Sequence, residues 1–288
     1  MRSEQEMLNL ILSTAEHDER IRAVIMNGSR VNPNMQRDIF QDYDIVYIVS
    51  DVAPFRNNHD WIQRFGDMVI YQMPEAMGNP PPMGDGHFAY LMQFMDGNRI
   101  DLTLFPLAKL PDMQRDSLSR LLLDKDGIIT PFPDANDSDY LPRPPSAQDF
   151  ADCCNEFWWV ATYVAKGLWR QQLSYAKCMQ EQPVRDQLLL MLTWYVGQHT
   201  EYGMNLGMCA KKLKHYLEPE LWFLFEQTYA DADEEHSWNA LFMACDLFRI
   251  VASKLAIQCG FSYPVQDDMR VSAHLRRVRA LPRGATSF

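Results

Sequence analysis

Residues 131 to 146, PFPDANDSDYLPRPPS, separate two stretches of chain with different hydrophobic patterns. Pro, Asp and Ser dominate this segment, as in a linker. Before it, short runs rich in β-branched and aromatic residues alternate with turn signals. After it, apolar residues recur at three- and four-residue steps over 147–170, 184–202, 205–216, 218–229, 235–259 and 264–280. Strands first and helices afterwards predict an α+β chain. A mixed sheet flanked by helices should occupy 1–145, and an all-helical bundle 146–288.

The first half reads in finer detail. Residues 3–18 form an amphipathic helix with Met7, Leu8, Ile11 and Leu12 on one side. Residues 22–26 (RAVIM) form a strand ending at Asn27-Gly28-Ser29, followed by a turn-rich loop at Asn32-Pro33-Asn34. The run YDIVYIV reads as the next strand, 59–66 as a helical turn ending on Gly, and 67–73 as a strand. Residues 77–87 form an irregular Pro/Gly loop. Residues 88–94 and 99–107 are two strands around an Asp96-Gly97-Asn98 turn. Residues 113–124 have helical spacing.

Asp is a poor strand residue, yet Asp42 and Asp44 are read as lying inside the strand that YDIVYIV marks, two apart and so on one face. Asp101 occupies a similar place in RIDLTLF, sharing a face with Thr103 and Phe105. Should the two strands be neighbours, three carboxylates converge, and like charges so close call for a cation. Hard oxygen ligands select Mg²⁺, which favours a few carboxylates plus substrate phosphates. Two such ions clamp the attacking and leaving oxygens of a phosphoryl displacement. Gly28 would let backbone approach a phosphate, Ser29 adds a hydroxyl, and Arg30 follows with a positive charge. Each piece has an ordinary alternative: a plain turn, a solvated acidic edge, or an Asp101 paired with nearby Arg99. Their order along the chain points to nucleotidyl transfer, with the third acid accepting the proton of the attacking hydroxyl.

Composition narrows the partners. The net charge of -11 disfavours nucleic acid and suits a cationic substrate. The six cysteines form no CxxC pair and read as buried thiols in a reducing compartment. The N-terminal helix is no signal peptide, and no apolar run is long enough for a membrane span. A cytoplasmic protein, monomer or weak homodimer, is expected. The seven histidines lack metal-ligand spacing, so no zinc is assigned.

GSR with its Asn-rich loop and FQDYDI, then EFWWVATYVAKGLWR (156–170) and MLTWYVGQHTEYGMNLG (191–207), resemble the aminoglycoside 6-adenylyltransferases of the polymerase-β-like nucleotidyltransferase superfamily. The resemblance covers nearly the whole chain. It implies transfer of AMP from ATP to the 6-hydroxyl of streptomycin with two Mg²⁺. The family's Gly-Ser pair falls on Gly28 and Ser29, its metal pair on Asp42 and Asp44, and its third acid on Asp101. Asn27 departs from the acid often found before Gly-Ser.

A drug with guanidinium groups calls for carboxylates and aromatic faces. Glu156, Trp159 and Tyr163 share a helix face, with Asp152 one turn earlier. Ordinary bundle core is the competing reading for Trp158, Trp159 and Tyr163. Glu201-Tyr202 is a weaker acidic–aromatic pair. Lys166, in an otherwise apolar helix, is a candidate phosphate contact, as is Lys211 beside Lys212. A different acceptor on the same fold and a non-catalytic regulatory relative remain the alternative functions.

Overall fold

The computed structural model describes residues 1–79 and 86–288. Most of the expected Pro/Gly loop, residues 80–85, lies outside the described residues. The chain divides into two compact units, Met1–Asp139 and Tyr140–Phe288.

In the first unit, α1 (Glu4–Glu16) starts at a capping box in which Ser3 and Glu6 satisfy each other's backbone N–H groups. Its Met7, Ile11 and Ala15 are buried. Strands β1 (Ile21–Asn27), β2 (Tyr43–Val49), β3 (Met68–Gln72), β4 (Phe88–Phe94), β5 (Arg99–Pro106) and β6 (Ser119–Asp124) form one mixed sheet. Their order is β3-β4-β5-β2-β1-β6. Only β2 and β5 pair in parallel; the other pairs are antiparallel. One face carries Val24, Tyr43, Ile45, Tyr47, Ile100 and Leu102, closed by α1 and by Phe55, Trp61 and Phe65 from α2 (Ala53–Arg56) and a 3₁₀ segment, His59–Phe65. Buried hydroxyls there are satisfied: Tyr47 donates to the Ile11 carbonyl at 2.6 Å and Tyr90 to that of Phe55 at 2.9 Å.

The opposite face is split along its length. Ala23, Ile25, Ile48 and Ile129 form a small apolar cluster, backed by Val46, Phe105, Leu121 and Phe132. Because side chains repeat every second residue, following β1 and β2 from this cluster leads to Asn27 and Asp44, and following β5 back from Phe105 leads to Asp101.

The second unit contains α3 (Ala147–Trp169), α4 (Leu173–Met179), α5 (Arg185–His199), α6 (Pro219–Glu226), α7 (Glu234–Cys259) and α8 (Val265–Ala280). A Ser146–Asp149 capping box opens α3, and Gly260, at φ +70°, ends α7. Helices α3 and α7 meet through Phe157 and Phe248, stacked at 3.8 Å, with Trp158 edge-on to both. Arg249 and the buried Asp268 join α7 to α8.

Several expectations need correction. Residues 113–124 are not a helix: Ser119–Asp124 is strand β6, paired with β1. The spacing of Leu118, Leu121 and Leu122 suits a helix locally, but the exposed edge of β1 takes the segment as a strand. Asp42 lies one residue before β2 instead of within it. Residues 205–216 are two short 3₁₀ turns, Met208–Ala210 and Leu213–His215, broken after Gly207, with Cys209 and Ala210 at positive φ. Cys178 and Cys209 are exposed and Cys259 is half-buried, so the reading of six buried thiols holds only for Cys153, Cys154 and Cys245. The 218–229 helix stops at Glu226, and α4, which the periodicity missed, continues through a π turn at Gln180–Val184 into α5. Among the described residues, no helix is long and apolar enough to cross a membrane.

Candidate active site

The parallel register of β2 and β5 sets Asp44 directly beside Asp101. On the other side of Asp44, β1 contributes Asn27, and β6 contributes Ser119 beside Asn27. A polar row, Ser119–Asn27–Asp44–Asp101, thus crosses four strands at one end of the sheet face. The Ser119 hydroxyl donates to Asn27 Oδ1 at 2.9 Å. Asn27, noted above as a departure, keeps this row at two carboxylates in register instead of three.

Asp42 adds a third acid two residues before Asp44. Burial first, then Asp101 and Asp42, push the Asp44 carboxyl up to about 6. Burial also raises Asp42, although Arg99 opposes it. The three acids thus lie within reach of one another's charge. They do not close a metal cage: among the described residues, no group of three or more His, Cys, Asp or Glu side chains is arranged to hold an ion. Asp101 is engaged instead by Arg99, whose Nε and Nη2 donate to Asp101 Oδ1 and Oδ2 at 2.7 and 2.8 Å. The same Nε lies 3.7 Å from Asp42 Oδ2.

Gly28 is placed by two constraints. Its φ of +75° favours a residue without Cβ, and a Cβ there would stand 2.2 Å from Asp44 Oδ2. Its N–H donates to the Leu118 carbonyl at 2.9 Å, so Gly28 provides space and not a phosphate donor. Ser29 is half-buried, and its hydroxyl makes no hydrogen bond to the described residues. Arg30, expected at the phosphates, is buried. Its Nη2 donates to the Gln41 carbonyl at 2.7 Å and its Nε to that of Asp42 at 3.1 Å, while the guanidinium stacks on Tyr43 at 3.7 Å. Arg30 thus fixes the turn that delivers Asp42. A cavity of about 350 Å³ continues from the row, lined by Asn27, Val46, Thr103, Phe105 and Lys109 among others.

In the helical unit the candidate residues form a stripe along α3. Trp158 is core, but Trp159 is 58% exposed, which removes it from the ordinary-core reading. Its indole N–H donates to the Tyr163 hydroxyl at 2.7 Å, and the Lys166 ammonium lies 4.6 Å over the Tyr163 ring. Asp152 and Glu156 are exposed on the same face. Asp152 accepts from Gln148 Nε2 at 2.7 Å. Lys211 is exposed and lies against Gly207, and Glu201 and Tyr202 both hold positive φ. An acid absent from the sequence reading, Glu218, accepts from the Tyr195 hydroxyl at 2.6 Å with Lys254 3.9 Å away. The six cysteines are free thiols, and burial pushes Cys154 up to about 12, which makes it a poor nucleophile.

The streptomycin adenylyltransferase family model matches residues 1–278. An aminoglycoside 6-adenylyltransferase of Bacillus subtilis (strain 168) is 40% identical over 270 residues, 93% of this chain and 95% of the relative. One of Campylobacter jejuni is 40% identical over 269 residues, 93% of each chain. The crystal structure of an aminoglycoside 6-adenyltransferase from Bacillus subtilis, 35% identical, covers 98% of this chain and 100% of its own, with a TM-score of 0.48. On the strength of the sequence matches, the chain belongs to the streptomycin adenylyltransferase family.

Proposed function

We propose that the protein transfers AMP from ATP to a hydroxyl of an aminoglycoside, and that the 6-hydroxyl of streptomycin is its acceptor. The supporting observation is the in-register placement of Asp44 beside Asp101, packed over a Gly28 that no other residue can replace without collision. In the reaction the acceptor oxygen bonds to the α-phosphorus, the bond to the β-phosphate oxygen breaks, and pyrophosphate departs.

The donor set fits Mg²⁺: all three acids offer hard oxygens, with Asp44 and Asp101 side by side in register and Asp42 two residues before Asp44. Asp42, Asp44 and Asp101 would hold Mg²⁺, two ions in this reading, which when bound offset the charge on the transferring phosphate. Asp101 takes the proton of the attacking hydroxyl. Ser29 presents its hydroxyl to the phosphates, and the cavity beside Asn27 and Thr103 gives the nucleotide room.

Aminoglycoside recognition falls to the helical unit. Glu156 and Asp152 offer carboxylates to guanidinium groups, and Trp159 with Tyr163 offers aromatic faces. The test is direct: protein, Mg-ATP and streptomycin are incubated, and the drug is examined by mass spectrometry. An AMP adduct at the 6-hydroxyl supports the reading. Adenylylation of another aminoglycoside alone would keep the reaction and move the acceptor, and no adduct on any aminoglycoside would end the proposal.

A further inference from the structure

We propose that Arg99 is a built-in counter-cation for the acid row, holding Asp101 and Asp42 in place and giving up Asp101 when a divalent ion enters. The inference rests on the reading above, in which these carboxylates take the metal.

Arg99 and Asp101 are two apart on β5 and therefore share a face. The guanidinium spans both oxygens of Asp101 at 2.7 and 2.8 Å, while its Nε also faces Asp42 Oδ2 at 3.7 Å. Two acids separated in sequence thus face one positive group. Both Asp101 oxygens are thereby engaged. Arg99 must yield them before Asp101 can serve a metal ion, and until then it relieves the repulsion among the acids.

The contact is built for exchange. The Arg99 side chain is 39% exposed, and water-accessible ion pairs are weak. Its side-chain hydrogen bonds within the described residues go to Asp101 alone, and the longer ion pair to Asp42 is its other contact with the acids. Once displaced, it stays at the rim of the site as a planar cation able to meet a phosphate. Arg99 acts through Asp101 and is a positioning residue.

The test measures Mn²⁺ binding to the nucleotide-free protein by calorimetry, together with melting temperature with and without Mn²⁺. Arg99→Gln should bind Mn²⁺ more tightly than the wild type, by up to about fivefold, the ceiling set by one accessible ion pair. Its metal-free melting temperature should fall, and its rise on adding Mn²⁺ should exceed that of the wild type. Arg99→Lys, which keeps the charge but loses the fork, should lie between the two; it also stands in if the Gln variant does not fold. A folded Arg99 variant with unchanged or weaker Mn²⁺ affinity overturns the inference and leaves the metal reading intact. A wild type that binds no Mn²⁺, or binds it equally well as Asp44→Asn, overturns the metal reading and this inference with it.

Discussion

Arg249 in the helical unit and Arg99 in the sheet unit each grip an aspartate with two N–H donors, but the surroundings differ. Asp268 is buried and balanced: Arg249 donates to both of its oxygens at 2.6 Å, the Tyr263 hydroxyl adds a bond at 2.8 Å, and Ser272 adds one at 3.0 Å. Arg249 reaches Asp246 as well, at 2.6 Å. Burial pushes Asp268 upward, yet bonds from Arg249 and Tyr263 prevail and hold it below the usual carboxylate range. Around Arg99 the balance stays open: it pairs with Asp101 and more distantly with Asp42, while burial, Asp101 and Asp42 push Asp44 up to about 6. The first cluster is a finished structural joint. The second carries surplus negative charge, kept where the fold alone gains nothing from it. An arginine–aspartate pair therefore reads as structure or as site according to whether the charge around it closes.

Substitution separates the two clusters most sharply. Asp44→Asn should cut adenylyl transfer by on the order of 10²–10³ while the melting temperature holds or rises, since a repulsion is relieved; steady-state rates and thermal denaturation check this. Asp268→Asn should do the reverse, costing about 3 to 5 kcal/mol of stability with turnover per folded molecule retained; denaturant unfolding measures it. If Asp44→Asn destabilises as much as Asp268→Asn, the distinction drawn here is wrong.

Gly28→Ala should come next. A methyl group 2.2 Å from Asp44 Oδ2 must displace that carboxylate, and the positive φ adds roughly 1 to 2 kcal/mol of strain. Turnover should fall much more than stability. The closed cluster also has an acid limit. A carboxyl whose folded pKa is lowered stabilises above its unfolded pKa, and that stabilisation fades as pH falls through the folded value. The melting-temperature gap between the wild type and Asp268→Asn should stay constant from neutral pH to about 5 and shrink below about 4. A gap that widens on acidification would contradict the lowered Asp268. The smallest effect concerns Glu156, an exposed acid with no hydrogen bond or ion pair among the described residues. Glu156→Gln and Trp159→Ala should each weaken aminoglycoside binding by about 1 kcal/mol and leave ATP binding unchanged, read by calorimetry with each ligand separately.

Local signals were the legible ones. The Asp96-Gly97-Asn98 turn and the alternation of RIDLTLF both act within a few residues, and they place Asp101 on one face of β5 with Thr103 and Phe105. Strand β6 was read as a helix because its partner β1 lies about a hundred residues away, and spacing alone cannot register that edge. Arg30 and Gly28 were assigned to phosphate by their position after a strand. Which of their polar groups are already spent, on Gln41, Asp42 and Leu118, is decided by contacts that no local pattern carries. Arg99 was visible as a neighbour of Asp101, but its reach to Asp42 was not.

The parallel pairing of β2 with β5 has a kinetic consequence. Asp44 and Asp101 lie 57 positions apart (101 − 44), and the intervening chain must complete a crossover before they meet. Neither segment can assemble the acid row alone, so any ligand of that row acts as a clasp on the parallel seam of the sheet. Amide hydrogen exchange should slow along Tyr43–Val49 and Arg99–Pro106 when the ligand is present, ahead of the hairpin strands that zip up locally.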